Sequence, residues 1–304
     1  MAKVVTMLSG GLGNQLFQYA AARGLAERHG AELVVDSWSG FVRDMEYRRS
    51  YELDRLPIDA RLASPIERLP FWTRRLRAAF RKRLLPGSAA TGAPSFKPGH
   101  RFRVEATDRA HDAGFLSQPL RGDVWVSGYW QSPLYFDHCA DRLAAELTPP
   151  TPTRLPAIEL GQRLRHNPGV AIGIRLYEEA RNPGAHSSTG RLKAMAEING
   201  AIEMIHARAP DATYLIFCSH RAPELAQLKT PSAPVFVTGE EGFADALESL
   251  WLMTRCRHHV ITNSSFYWWG AWLAEALSPA EDHVIAAAAN FINADTVPTR
   301  WRRF

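Results

Sequence analysis

The second half of the chain alternates short apolar segments with segments of helical periodicity, and this alternation limits the possible folds more than any other feature. Alternation of this kind is typical of a parallel β-sheet covered by helices, and such a sheet binds ligands at the carboxyl ends of its strands. The predicted strands are Val170–Ile174, Thr213–Ser219, Pro234–Thr238, His259–Asn263 and Val284–Ala287. The predicted helices between them are Leu192–Ala209, Ala222–Leu228, Phe243–Cys256 and Trp268–Leu277.

The first half shows the same pattern less regularly. Apolar residues recur at helical spacing from Leu16 to Leu25. The predicted strands of this half are Val4–Leu8, Ala31–Asp36 and Val124–Tyr129. The segment Thr148–Pro156 contains four prolines and is the predicted linker. A chain of 304 residues is long enough for two α/β domains, which we expect over residues 1–150 and 151–304.

Composition and charge exclude several classes of protein. The net charge is +5, but ten lysines and arginines lie in one stretch without acidic residues between Glu67 and Glu105, so the basic character is local and nucleic acid is not the expected partner. The three cysteines, at positions 139, 218 and 256, are too far apart for a disulfide framework or a zinc site. No apolar run is long enough to cross a membrane, and the first residues lack the apolar core of a signal peptide, which predicts a cytoplasmic protein.

A glycine-rich loop follows the first predicted strand and precedes a helix. Glycines such as Gly11 and Gly13 let the backbone approach a ligand closely, and the N–H groups at a helix N-terminus attract anions, to which the amide of Asn14 adds a donor. Two alternatives stay open at this point. The loop is a plain tight turn, or it belongs to a dinucleotide-binding fingerprint with Asp36 on the ribose, although Leu16 replaces the third glycine of that fingerprint.

Two further groups of polar residues follow predicted strands in the second half. Arg175 is well placed to bind a diphosphate, and Glu178 follows it as a candidate base. Asn263 is followed by Ser264 and Ser265 at the start of a helix, where hydroxyl and N–H groups can hold a phosphate. The alternatives are an exposed Arg–Glu pair in the first group and a simple helix N-cap in the second. The aromatic residues that come next are expected to pack in the core.

Three motifs together resemble the family 11 glycosyltransferases, which are bacterial and animal α-1,2-fucosyltransferases: Ser9–Ala20, Val126–Ser132 and Asn263–Leu273. Their order and spacing span essentially the whole chain. The resemblance implies a GT-B-like α/β fold, in which two Rossmann-like domains face each other across a cleft and the C-terminal one binds most of the nucleotide-sugar donor. The N-terminal domain would then lie on the acceptor side. The resemblance also implies an inverting transfer that needs no metal and no resident cofactor.

The resemblance gives roles to the candidate residues. Arg175 would stabilise the charge that develops on the β-phosphate as the sugar leaves, and Glu178 would take the proton of the acceptor hydroxyl. Ser264 or Ser265 would hold the same diphosphate, and Asn14 would approach it from the other domain. The full set expected to bind the donor is Gly11, Gly13, Asn14, Gln15, Arg175, Ser219, His220, Asn263, Ser264 and Ser265.

The chain departs from the family pattern at two places. Where the family carries His-x-Arg-Arg-Gly-Asp, residues 173–178 keep only Arg175 and one acid, Glu178. Where the family carries Phe-Ser-Asp-Asp, residues 217–220 lack the acid that reads guanine in related fucosyltransferases, so Ser219 or backbone carbonyls would accept the N–H groups of guanine.

These motifs predict the transfer of fucose from GDP-fucose to a sugar hydroxyl of a bacterial surface glycan, in an α-1,2 linkage. The alternatives are another nucleotide-sugar donor, an NAD(P)-dependent sugar-nucleotide oxidoreductase or epimerase, and a glycan-binding protein without catalysis.

The segment Phe71–Leu85 interleaves six cations with large apolar residues. A basic amphipathic helix of this kind can lie on an anionic membrane, which would suit a lipid-linked glycan acceptor and a peripheral position on the inner face of the cytoplasmic membrane. The alternative is a solvated helix that packs on its own domain or steers the anionic donor.

Overall fold

The computed structural model describes residues 1–42, 44, 47–72, 101–106, 110–176, 192–243 and 245–304. These residues form two compact units, Met1–Glu146 and Leu147–Phe304, and each unit is built on its own parallel β-sheet. The two parallel sheets confirm the predicted α/β class.

The first unit contains a sheet of five parallel strands. Its strands are Lys3–Met7 (β1), Glu32–Asp36 (β2), Arg61–Leu62 (β3), Phe102–Val104 (β4) and Val124–Ser127 (β5). Their spatial order is β3-β2-β1-β5-β4, and the side chains of Val4 and Val5 in β1 are fully buried at its centre. The chain runs outward from β1 to β3 and later returns on the other side of β1, so its direction changes between β1 and β5.

Helix α1, Leu12–His29, is buried along most of its length against this sheet. It ends at Gly30, whose φ of 59° is a left-handed conformation that glycine adopts without strain, and the N–H of Gly30 bonds back to the last turn. Among the described residues of the unit, the other helices are residues 65–72 (α2), Gly114–Ser117 (α3) and Ala140–Glu146 (α4), and two short 3-10 segments are Pro133–Tyr135 and Asp137–Cys139.

Helix α1 begins at Leu12, four residues before the start that hydrophobic spacing predicts. Gly11 takes the extended N-cap conformation, and its carbonyl accepts the N–H groups of Asn14 and Gln15 at 2.9 and 3.1 Å. The predicted start is wrong because the low helix propensity of glycine favours placing Gly13 in the loop. In the structure, Gly13 is buried in the first turn of the helix. Gly13 and Asn14 are therefore helical residues, and the loop before them is short.

The second unit contains a sheet of six parallel strands. Its strands are Gly169–Gly173 (β6), Thr213–Phe217 (β7), Val235–Val237 (β8), His258–Ile261 (β9), Ile285–Ala287 (β10) and Arg302–Arg303 (β11). Their spatial order is β11-β10-β9-β6-β7-β8. The chain runs outward from β6 to β8 and then crosses to the other side, so its direction changes between β6 and β9.

Helices follow the strands of the second unit as the sequence predicts, but most of their bounds differ from the predicted ones. The helices are Leu155–Arg163 (α5), Met195–His206 (α6), Ala246–Met253 (α7) and Ser265–Leu277 (α8). The predicted helix Ala222–Leu228 is instead a 3-10 segment, Pro223–Gln227. Helix α8 begins at Ser265, three residues before its predicted start. Helix α5 begins inside the predicted linker, because Pro156 lies in its first turn, where no backbone hydrogen bond is lost.

The aromatic residues of α8 pack in the core of the second unit, as predicted. Trp268 and Trp269 are fully buried, and their ring centroids are 5.1 Å apart. The indole Nε1 of Trp268 donates to the carbonyl of Thr296 at 2.8 Å, so its polar atom is satisfied inside the core.

The basic segment predicted to contact a membrane, Phe71–Leu85, lies outside the described residues from position 73 onward. Phe71 belongs to α2 and is buried in an apolar cluster with Val5, Val34 and Trp125. Of the helices in the described ranges, none is both long and apolar enough to cross a bilayer.

Candidate active site

Polar residues gather at the carboxyl edge of the second sheet, on both sides of the point where the chain changes direction. Arg175 follows β6, and Asn263, Ser264 and Ser265 follow β9, which is the direct neighbour of β6. Parallel α/β sheets bind ligands at such a point, because the loops on its two sides diverge and leave a crevice. The structure thus brings two separate sequence motifs to the same edge of the sheet.

Thr262 joins the two strand ends. Its hydroxyl donates to the carbonyl of Gly173 at 3.1 Å and accepts the N–H of Arg175 at 2.8 Å, while its own N–H donates to Gly173 at 3.0 Å. Only 1% of Thr262 is exposed, so little water competes for these bonds. The backbone of Arg175 is therefore held in place at the strand end.

Tyr267 holds the same segment from helix α8. Its hydroxyl donates to the carbonyl of Ile174 at 3.1 Å, and the N–H of Ile174 donates to Phe217 in β7 at 3.1 Å. The ring of Tyr267 also covers Gly173, since a Cβ at that position would lie 2.4 Å from Cγ of the ring. Any side chain at position 173 would thus displace Tyr267, which explains why this strand end requires glycine.

Replacing Thr262 with valine is expected to lower both stability and turnover. Valine has nearly the same shape but removes the hydroxyl that accepts the partly buried N–H of Arg175, which costs about 1–3 kcal/mol of unfolding free energy. We expect kcat to fall about tenfold, because the guanidinium then lacks its fixed base. Urea unfolding and steady-state kinetics measure the two effects, and Thr262→Ser, which keeps the hydroxyl, should restore kcat. If Thr262→Val is destabilised but keeps the wild-type kcat, the hydrogen bonds of Thr262 to Gly173 and Arg175 contribute to stability only.

The start of helix α8 presents polar groups beside Arg175. Ser264 is the N-cap residue, but its side chain makes no capping hydrogen bond to the helix. Among the described residues, none donates to Oδ1 of Asn263, although that atom is buried. Buried polar atoms are rarely left without a partner unless a ligand or water supplies one. The helix N-terminus adds positive potential at this position, which favours an anion.

The other predicted donor-binding residues of this unit follow the neighbouring strand, β7. Ser219 and His220 are exposed directly after its end, on the far side of β6 from Asn263. The structure therefore places them at the same edge of the sheet as Arg175. Glu178, the predicted base, lies outside the described residues.

The adjacent histidines of β9 belong to the core. His259 is fully buried and its Nε2 bonds to the carbonyl of Met253 at 3.1 Å, while Nδ1 of His258 accepts the N–H of Val284 at 3.1 Å. Burial lowers the pKa of His258 to about 4 and that of His259 to about 3, so both stay neutral at pH 7. In the part of the chain that the structure describes, no three His, Cys, Asp or Glu side chains are grouped as a metal site requires.

Gln15, which the sequence predicts to bind the donor, anchors the glycine loop. Its side chain is fully buried, and Nε2 donates to the carbonyls of Gly10 and Ser50 at 2.9 and 2.8 Å. Its Oε1 accepts the N–H of Glu52 at 2.9 Å. These contacts use the amide inside the protein and position the loop, and donor binding by Gln15 stays a prediction.

Asn14 lies where the first sheet changes direction, between β1 and β5. Its Oδ1 accepts a hydrogen bond from Nε2 of Gln131 at 2.9 Å, which turns the NH₂ group of Asn14 toward Gly10. Gln131 follows β5 in a turn where the carboxylate of Glu105 accepts the N–H groups of Tyr129 and Trp130 at 2.7 and 2.8 Å. This turn ends β5 at Ser127, two residues before its predicted end. Asn14 thus has a fixed orientation as a donor beside the glycine loop.

Asp36, which the dinucleotide alternative requires on a ribose, is fully buried at the end of β2. Its Oδ1 accepts the N–H groups of Trp38 and Ser39, each at 3.0 Å. A carboxylate in this position holds its own loop and does not reach a ribose. The dinucleotide-binding alternative therefore lacks the acidic side chain that would bind the ribose.

Comparison with known proteins identifies the family. Residues 3–295 match the profile of Glycosyl transferase family 11. A curated relative, the alpha-1,2-colitosyltransferase of Escherichia coli, is 26% identical over 278 residues, which cover 90% of this chain and 88% of that protein.

Solved structures that are similar to this chain include one plant protein and one bacterial protein. A variant of Arabidopsis thaliana FUT1 in complex with GDP has a TM-score of 0.51 at 16% identity, over 93% of this chain and 70% of that one. The fucosyltransferase NodZ from Bradyrhizobium has a TM-score of 0.44 at 16% identity, over 89% of this chain and 92% of NodZ. The first of these matches shows the fold of the GT-B fucosyltransferases. The profile match shows that the chain belongs to glycosyltransferase family 11 and is a glycosyltransferase.

Proposed function

We propose that this chain is an inverting fucosyltransferase that moves fucose from GDP-fucose to a hydroxyl group of a bacterial surface glycan and forms an α-1,2 linkage. The observation that carries the proposal is the pair of strand ends at Arg175 and Asn263–Ser265, which Thr262 ties together where the sheet changes direction. This edge offers a guanidinium and a helix N-terminus to the same diphosphate.

In the proposed reaction the bond between C1 of the sugar and an oxygen of the β-phosphate breaks. The acceptor oxygen bonds to C1 from the opposite face, which inverts the configuration. The departing GDP gains negative charge, and Arg175 together with the N-terminus of α8 would stabilise that charge. The acceptor hydroxyl must lose its proton, and Glu178 stays the predicted base.

The remaining polar groups would fix the neutral parts of the donor. The amide oxygen of Asn263 is a hydrogen-bond acceptor, so its partner would be a hydroxyl of the ribose or of the sugar. The hydroxyl of Ser219 and the imidazole of His220 can accept the N–H groups of guanine, which replaces the acid of the family pattern. For Gly11, Gly13 and Asn14 we keep the predicted role in donor binding.

A second donor sugar is favoured by a specific observation. The curated relative is named a colitosyltransferase, and colitose is fucose without its 3-hydroxyl group. The two sugars differ by one hydrogen-bonding group, and a site that binds a hydroxyl discriminates strongly against a sugar that lacks it. Colitose is thus the alternative donor sugar, with the same mechanism.

A thermal-shift screen against GDP, UDP, dTDP, CDP, ADP and NAD tests the nucleotide. A ligand at about 100 times its Kd stabilises the folded state by roughly 2.7 kcal/mol, which raises Tm by several degrees. We expect a selective shift with GDP, and GDP-fucose and GDP-colitose can then be compared as donors. A rise in Tm with another nucleoside diphosphate alone would show that the donor sugar is carried by that nucleotide. A rise in Tm with NAD alone would contradict the proposed function.

The proposed acceptor is a lipid-linked glycan, and the membrane contact of Phe71–Leu85 stays a prediction that rests on its charge pattern. Co-sedimentation with phosphatidylglycerol vesicles, compared with phosphatidylcholine vesicles, tests it. Equal recovery with both kinds of vesicle would contradict the predicted membrane contact.

A further inference from the structure

A partly exposed aromatic and basic cluster, which we call the tryptophan patch, lies on the first unit. It consists of Trp38, Arg68 and Trp72. Trp38 is 48% exposed, an unusual fraction for the largest apolar side chain. The ring centroids of Trp38 and Trp72 are 5.5 Å apart with the planes tilted by 43°, and the guanidinium carbon of Arg68 lies 5.9 Å from the Trp38 ring.

The tryptophan patch is held in place by buried contacts. The carboxylate of Asp36 accepts the N–H groups of Trp38 and Ser39, each at 3.0 Å, which fixes the turn that carries the indole. Nε of Arg68 lies 3.8 Å from Asp36 Oδ1, and Arg68 and Trp72 both belong to α2. The exposed indole is therefore presented on a preorganised base, so little conformational entropy is lost when a ligand binds.

The loop that carries Trp38 packs directly against the glycine loop. The N–H of Leu8 donates to the carbonyl of Asp36 at 3.1 Å. Gly40 lies so close to the backbone of Leu8 that a Cβ at position 40 would be 1.9 Å from the carbonyl oxygen of Leu8. Further along the loop, the guanidinium of Arg49 lies 3.8 Å from the Cβ position of Gly11. The loop that carries Trp38 thus contacts the segment that leads into the glycine loop.

The chemistry of the tryptophan patch suits a sugar ring. The apolar C–H face of a pyranose stacks on an indole, while its hydroxyl groups bond to planar polar side chains. Arg68 brings a guanidinium to the edge of the Trp38 ring, and its side chain is 24% exposed although its Nε is buried. We infer that the tryptophan patch is a binding subsite for a pyranose ring of the acceptor glycan. This inference rests on the proposed function, because only a glycosyltransferase needs an acceptor beside its donor loop.

The test compares Trp38→Ala with Trp38→Phe and with Ile66→Ala, a control that removes an apolar side chain, 77% exposed, from the same helix as Arg68. Each protein, saturated with GDP, is applied to an array of bacterial O-antigen oligosaccharides and common mono- and disaccharides. A thermal-shift titration with GDP is run on each protein in parallel and also shows that each variant is folded.

We expect wild type and Ile66→Ala to retain the same glycans, Trp38→Ala to bind them about tenfold more weakly, and Trp38→Phe to fall between. The GDP shift should be the same in all four proteins. Unchanged glycan binding by Trp38→Ala, or no glycan binding by wild type, overturns the inference. A loss of the GDP shift in Trp38→Ala alone also overturns it, because the indole would then stack on the nucleotide. If GDP shifts none of the proteins but Trp38→Ala loses its glycans, the proposed donor fails and the subsite stands.

Discussion

Replacing Arg175 with alanine is expected to lower kcat about 10²- to 10³-fold, the loss seen when one preorganised donor to a developing oxyanion is removed. The guanidinium follows β6 at the carboxyl edge of the sheet, where Thr262 holds its backbone. Because the side chain is only partly buried, the unfolding free energy should change little. Steady-state kinetics with GDP-fucose and a thermal melt measure the two quantities.

The control for this substitution is Arg257→Ala. Arg257 immediately precedes β9, at the opposite edge of the same sheet, and forms an exposed ion pair with Glu281 at 2.9 Å. Its removal should leave kcat unchanged. Arg175→Ala with wild-type turnover, or an equal loss in both variants, would contradict the role assigned to Arg175.

Replacing Glu146 with glutamine is expected to destabilise the first unit by about 3 kcal/mol. Glu146 and Arg23 form an ion pair at 3.1 Å, and their side chains are only 7% and 5% exposed. The hydroxyl of Tyr19 also donates to Glu146, and burial raises the pKa of Tyr19, so its proton is retained. This network ties α1, the helix after the glycine loop, to α4. A neutral amide leaves the buried charge of Arg23 uncompensated.

The matched control is Glu27→Gln. Glu27 pairs with Arg142 at 3.0 Å, but both side chains are exposed, so its loss should cost less than about 1 kcal/mol. Urea unfolding of both variants gives the comparison, and the loss at Glu146 should lower Tm by roughly 6–12 °C. Equal stability of the two variants would show that the Glu146 network contributes no more than a surface pair.

The strands and the main strand-end residues could be predicted from the sequence because their signals are local. Apolar, β-branched runs mark β6, β7 and β9, and polar residues such as Arg175 and Asn263 follow them directly. A parallel sheet then brings these ends to one edge whatever the details of packing. The order of strands within the sheet follows from where the chain crosses over, which local periodicity does not determine.

The supporting contacts could not be predicted because they join residues that are distant in the sequence. Thr262 bonds to the N–H of Arg175, which is 87 positions away, and Gln15 bonds to Ser50 and Glu52. From the sequence alone, a glutamine in a glycine loop suggests a ligand contact, because its hydrogen-bond partners within the protein are not visible there. Glu105 carries a weak signal, since it is the first acid after the long basic stretch, but nothing local connects it to the turn at residues 129–130.

Hydrogen–deuterium exchange of the whole chain with and without GDP tests the donor site. We expect GDP to slow exchange at residues 174–176, 218–221 and 262–266, where the strand ends and the start of α8 would hold the nucleotide. The Arg175→Ala variant should show weaker protection at the same GDP concentration. Protection confined to other segments, with these three unchanged at saturating GDP, would contradict the assignment of the donor site.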